Sequence, residues 1–241
     1  TCTMKYSPKV HERLAGSPKM LHMHPLQPEK TAQGVLEIMY KTGELFKAIS
    51  GLDVFSVQPG GGSHGVLALA SIVRAYWRDR GEEAKRDEVI TTLFSHPADA
   101  AVPIVKGYKV TIIQPDSEGY PDIEAFKAAL SDRTAAIFFT NPEDTGIFNV
   151  RIKEFTRLAH EKGALCCYDQ ANANGLLGIT RTAEADFDMS FFNLHKTFSA
   201  PHGCGGPATG MVAARKELRP YMPVPLVEHC PEKGYYLDFD L

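Results

Sequence analysis

The sequence predicts an α/β protein: a mostly parallel seven-stranded sheet covered by helices on both faces. Three observations predict it. Seven short runs of β-branched and aromatic residues, at 54–57, 89–94, 110–113, 135–140, 165–168, 189–194 and 211–214, recur along 241 residues. Helix-like segments separate several of them, at 64–80, 121–130 and 150–162. Polar residues and glycines gather where the runs end, and in open parallel sheets ligands bind beyond the strand carboxyl ends.

In chain order, residues 1–28 carry Pro8, Pro18, Pro25 and Pro28 with little periodicity, so they read as an extended arm. Val35, Leu36, Met39, Leu45, Phe46 and Ile49 then recur at helical spacing over 29–50, between Pro28 and Gly51. The arm and this helix make up the first segment, 1–50. The alternating strands and helices make up a sheet domain, 51–216, with Pro121 at a first-turn position and Gly163 closing the last long helix. Residues 217–241 read as a linker toward a small C-terminal domain. The start at Thr1 and the stop at Leu241, without a closing element, lead us to expect a piece of a longer protein.

Composition narrows the function. A formal charge of -3, from 26 basic and 29 acidic residues, sets up no field for nucleic acid or for an anionic membrane. No apolar run is long enough to span a bilayer, and residues 1–8 lack a signal-peptide pattern, so a cytoplasmic location is expected. Five cysteines, two of them adjacent at Cys166 and Cys167, suggest neither a disulfide framework nor a metal site. His22 and His24 have no third ligand nearby in the sequence, and no metal is expected.

The chemistry lies after the strands. Lys196 follows an apolar run and precedes a glycine-rich stretch, 203–206, as a covalent amine site requires. Gly61, Gly62 and Ser63 sit between a strand and a helix, where backbone N–H groups and the helix dipole favour a phosphate. His96, after the second run, can stack on a planar ligand and move a proton. Asn141, held before Pro142, ends the fourth run. Asp169 ends the fifth, shortly before Asn172, and a carboxylate there is costly to bury without a cationic partner. Phosphate turn, planar stacker, buried acid and strand-end lysine, in that order, suit pyridoxal 5'-phosphate.

Cys2–Pro8, His24-Pro25-Leu26-Gln27-Pro28, and above all Asn193-Leu194-His195-Lys196-Thr197-Phe198 with Pro201-His202-Gly203 and Gly205-Gly206-Pro207 resemble the P-protein of the glycine cleavage system. Within it they resemble most the subunit 2 type of glycine dehydrogenase (decarboxylating). The resemblance implies the large domain of the fold type I, pyridoxal-phosphate-dependent transferase-like architecture. It implies Lys196 as Schiff-base lysine, Asp169 on the pyridine nitrogen, His96 stacked on the ring, the turn 60–63 on the phosphate and His195 helping to hold the cofactor. It further implies glycine decarboxylation, with the aminomethyl group passed to the lipoyl arm of H-protein, and assembly with a subunit 1 or with a second copy.

The chain departs from the resemblance around His96, where Pro97-Ala98-Asp99 replaces the usual Gly-Thr-Asn. It departs also at Val66, where an acid is usual, at Gln170, and at Cys204 and Ala208. These changes keep two other readings open. One is a diverged decarboxylase or lyase for another small amino acid. The other is a non-catalytic partner subunit, against which the retention of Lys196 and Asp169 argues.

Overall fold

A computed structural model describes residues 8–202 and 208–241. Helices α1 (Lys9–Ala15), α2 (Pro18–Leu21) and α3 (Gln33–Ser50) come first, followed by β1 (Val54–Ser56), α4 (Gly62–Asp79), β2 (Glu88–Thr92), α5 (Pro97–Val105) and β3 (Lys109–Ile113). Then come α6 (Ile123–Ala129), β4 (Thr134–Thr140), α7 (Ile152–Glu161), β5 (Leu165–Gln170), β6 (Met189–Asn193) and β7 (Gly210–Ala214), and last β8 (Leu226–Cys230) and β9 (Gly234–Asp238). Strands β1 to β7 form one sheet in the order β1-β7-β6-β5-β4-β2-β3. Strands β3, β2, β4, β5 and β6 run parallel, and β7 runs antiparallel to both β6 and β1. The predicted mostly parallel seven-stranded sheet is the one observed.

The core follows from strand periodicity, since successive side chains point to opposite faces. In β4, Ala136 and Phe138 pack with Leu69, Val73 and Trp77 of α4 on one face. Ile137 and Phe139 pack with Phe126 of α6 and Phe155 of α7 on the other. The rings of Phe126, Phe139 and Phe155 meet at centroid distances of 4.8–5.7 Å, and each such pair adds about 0.5–1.5 kcal/mol beyond the area it buries. Trp77 Nε1 donates to the carbonyl of Ala135 at 3.0 Å, so the largest ring of α4 is buried without an unpaired N–H.

Helix ends follow local chemistry. Asp122 caps α6 by accepting from the amides of Glu124 and Ala125, which puts Pro121 one residue before the cap and not in the first turn. Gly51 ends α3 in the left-handed region, at φ 73°, where a residue without a Cβ is unstrained.

Three expectations change. Residues 8–28 of the arm are not simply extended: they form α1 and α2, neither of which buries a residue. Helix α5 was not anticipated after the second strand. Pro97 occupies its first position, where the missing N–H would be unsatisfied in any case. The predicted linker is structured, with a short 3-10 helix at Lys216–Tyr221 and an antiparallel β8–β9 hairpin. Gln33 of α3 holds that hairpin by a two-point contact with β9: its amide donates to the Tyr235 carbonyl at 2.7 Å and its oxygen accepts from the Tyr235 N–H at 2.9 Å. Arg219 bridges Glu228 and Asp238, one on each strand.

The path of the chain reverses between β2 and β4. From β2 it moves outward to β3, returns to β4 on the other side, and continues through β5 to β6. In such sheets the crevice for a ligand opens at this switch point, beyond the strand carboxyl ends.

Candidate active site

Four neighbouring strands, β2, β4, β5 and β6, deliver their carboxyl ends to one side of the switch point. A cavity of about 250 Å³ lies there, lined by His96 after β2, by Thr140, Asn141, Glu143 and Asp144 after β4, by Asp169 and Asn172 after β5, and by Lys196 after β6. Register brings the acid and the amide together, because Thr140 pairs with Asp169 across β4 and β5. Five of the residues singled out from sequence, Lys196, His96, Asp169, Asn141 and Asn172, therefore share one wall.

Asp169 is 5 % exposed, and one of its oxygens accepts the Ala171 N–H at 2.8 Å. Burial pushes its carboxyl up to about 6, while the Ala171 amide, His96 and Lys196 pull the other way. Below it, Asp99 at the third position of α5 is fully buried. Asp99 Oδ2 accepts from Thr140 Oγ1 at 2.9 Å, and Thr140 Oγ1 accepts from the His96 N–H at 3.1 Å. His96 Nδ1 accepts from the Ala98 N–H at 3.1 Å, which assigns the ring proton to Nε2. The His96 ring is thus both a helix cap and an exposed wall of the cavity.

Other contacts fix the rim. Asn141 makes a two-point contact with the backbone of Asn149, donating at 3.3 Å and accepting at 2.8 Å, and its carbonyl receives the Tyr168 hydroxyl at 2.6 Å. Glu143 is buried, accepts from Thr92 Oγ1, and has its carboxyl raised by burial. The Lys196 turn is held by its own N–H donating to the Asn193 carbonyl at 3.0 Å and by the Thr197 hydroxyl.

The remaining predicted residues lie outside this lining. Gly61 caps α4, with Gly62 and Ser63 in its first turn, at the carboxyl end of β6. A Cβ at Gly62 would stand 2.9 Å from the side-chain Nδ2 of Asn193, so glycine gives the backbone room at that approach. His195 is buried; its ring contacts the backbone of Thr209 at 3.3 Å and meets His202 edge-on at 4.5 Å. It belongs to the floor under the lysine turn. The predicted glycine stretch 203–206 and Cys204 lie outside the described residues.

Among known proteins, the family model for Aminotransferase class-V matches residues 59–227. The chain belongs to that family. The class V aminotransferases are pyridoxal-phosphate enzymes. Along its whole length the chain is 44 % identical to a protein named probable glycine dehydrogenase (decarboxylating) subunit 2 from Pyrococcus abyssi, covering 48 % of it. It is also 44 % identical to the protein of that name from Thermus thermophilus, covering 50 %. The chain spans about half the length of these curated relatives. A crystal structure of glycine decarboxylase (P-protein) of the glycine cleavage system superposes with a TM-score of 0.79 at 24 % identity, over 98 % of this chain and 52 % of that one. That likeness carries the fold.

The residues of this member of the class V aminotransferase family fit the family's cofactor. A buried carboxylate that gains by pairing with a cation, and an amine in the same cavity, suit a pyridinium aldehyde. A glycine turn at the start of an 18-residue helix suits a phosphate. Sequence reasoning gave no role to Thr140, Glu143, Asp144 or Thr197. The cluster Asn141-Pro142-Glu143-Asp144 directly after an apolar strand was the signal available for two of them, Glu143 and Asp144.

No described helix is long and apolar enough to cross a membrane.

Proposed function

We propose that this chain is the cofactor-bearing half of a glycine dehydrogenase (decarboxylating) acting in the cytoplasm. In this reading it takes glycine as substrate, works with a subunit 1 or a second copy, and passes an aminomethyl group to the lipoyl arm of H-protein. The observation that carries the reading is the convergence of Lys196, Asp169 and His96 on one cavity at the switch point. The names of the curated relatives support the substrate.

Lys196, Asp169, His96, Asn141, Asn172 and the α4 turn would hold pyridoxal phosphate, with His195 beneath. The cofactor supplies an electron sink for the bond broken at the substrate's α-carbon. Asp169, buried in the cavity wall, would hold a negative charge for the protonated ring nitrogen, where a fixed charge acts more strongly than in solution. Lys196 would provide the amine that fastens the cofactor. His96 lines the cavity and offers Nε2–H as a hydrogen-bond donor, with Nδ1 committed to the Ala98 amide. Thr140 fixes the backbone from which His96 projects.

Borohydride reduction of the full-length, cofactor-loaded protein, followed by peptide mapping, tests the reading. The expected adduct is on Lys196 and is absent from Lys196→Ala. An adduct elsewhere, or none in folded protein, rejects it. The altered His96 turn, with a buried acid at Asp99, favours as the second reading a decarboxylase or lyase for another small amino acid. Carbon dioxide release measured across a panel of amino acids separates the two.

A further inference from the structure

Asp99 stands where the resemblance has an amide, and its surroundings are unlike those of an ordinary helix-start aspartate. It occupies the third position of α5, where the helix dipole favours an anion. Yet the residue has no solvent exposure, and Oδ1 is buried without a hydrogen-bond partner. Oδ2 has one partner, the hydroxyl of Thr140. An ionised carboxylate calls for donors at both oxygens, whereas a protonated one carries its own proton on one of them and calls for fewer. Among the described residues, the ionisable groups that face Asp99 are Asp169 and Cys167 of β5 and Asp144 beyond β4, and none of them is a cation. Two carboxyls buried near one another do not both ionise readily. Desolvation, the largest effect on Asp99, and then repulsion by Asp169 act in the same direction, against the single hydrogen bond from Thr140.

We propose that Asp99 is a positioning residue held as a neutral, proton-bearing carboxyl, which anchors Thr140 and the His96 backbone while leaving Asp169 as the charged carboxylate for the cofactor's ring nitrogen. The second half rests on the cofactor reading above; the protonation of Asp99 does not. The substitution of acid for amide is then nearly isoelectronic, since a neutral carboxyl, like an amide, is uncharged and presents an acceptor oxygen beside a donor group. It also explains how this chain tolerates a second acid beneath Asp169.

Infrared spectra of the full-length protein near neutral pH, with and without cofactor, test the charge state. The wild type is expected to show the carbonyl band of a protonated carboxyl, lost in Asp99→Asn and kept in Asp169→Asn. No such band, a band of unchanged strength in Asp99→Asn, or its loss in Asp169→Asn would overturn the proposal. The wild-type spectrum decides the first of these even if Asp99→Asn fails to fold. A second readout is the pH midpoint of cofactor binding. Asp99→Asn is expected to leave it in place, because one neutral group replaces another. A fall of about one unit or more would mean that a charge had been removed next to Asp169. Failure of the Lys196 adduct with the infrared result intact would reject the cofactor reading alone.

Discussion

Thr197 Oγ1 accepts the backbone N–H of Ala173 at 2.8 Å, tying the turn that carries Lys196 to the loop that follows Asp169. The same hydroxyl donates to Asn172 Oδ1 at 3.3 Å. One side chain thereby sets the spacing between the amine and the acid. Thr197→Val keeps the shape and removes the acceptor, leaving an amide of the buried Ala173 unpaired at a cost of about 1–3 kcal/mol. Urea unfolding should show that loss, and borohydride trapping at Lys196 should slow. Thr197→Ser should restore both.

Asp169→Asn should weaken cofactor binding and lower turnover on the order of 10²-fold or more, as expected when a fixed charge is removed from a dry site. Steady-state kinetics and cofactor titration on the full-length enzyme measure both.

The same carboxyl predicts a pH dependence without cofactor. Its value in the folded protein is about 6, above the ordinary 3.8, so the folded protein retains a proton that the unfolded chain has released. The stabilising contribution is complete below the ordinary value and is lost as pH rises through about 6. Unfolding free energy of cofactor-free protein should therefore fall across that window. Asp169→Asn should flatten the fall, and bound cofactor should offset it.

Gly65→Ala should cost about 1–3 kcal/mol. A Cβ there would stand 2.6 Å from the Phe191 ring, between α4 and β6, where the core is closely packed. The denaturant midpoint should drop with an unchanged slope, since the fold and the surface exposed on unfolding stay the same.

At the opposite, amino end of the sheet, Asp188 accepts from the Cys166 N–H at 2.7 Å and contacts His160 Nε2 at 2.9 Å. Asp188→Ala should lose about 1–3 kcal/mol through the orphaned amide. The midpoint of cofactor binding should not change in this variant, which makes it a control for effects of stability alone.

The sequence by itself determined the seven strands of the main sheet and most of the helices, because hydrophobic periodicity and glycine or proline stops are local signals. It also determined the chemistry available at strand ends: Lys196, Asp169 and His96 could be singled out because each follows an apolar run. Helix α5 was hidden because Pro97 reads as a turn residue until the helix it starts is seen. The hairpin at 226–238 was hidden because its stability comes from Gln33 and Arg219, and Gln33 lies far away in the chain. Only the tertiary structure decided that four strand ends meet at the β2/β4 reversal, that Thr140 lies level with Asp169, and that Asp99 is sealed beneath them. Periodicity fixes which face a residue takes, but the strand order chooses its neighbours. Those neighbours decide whether a carboxyl keeps its proton.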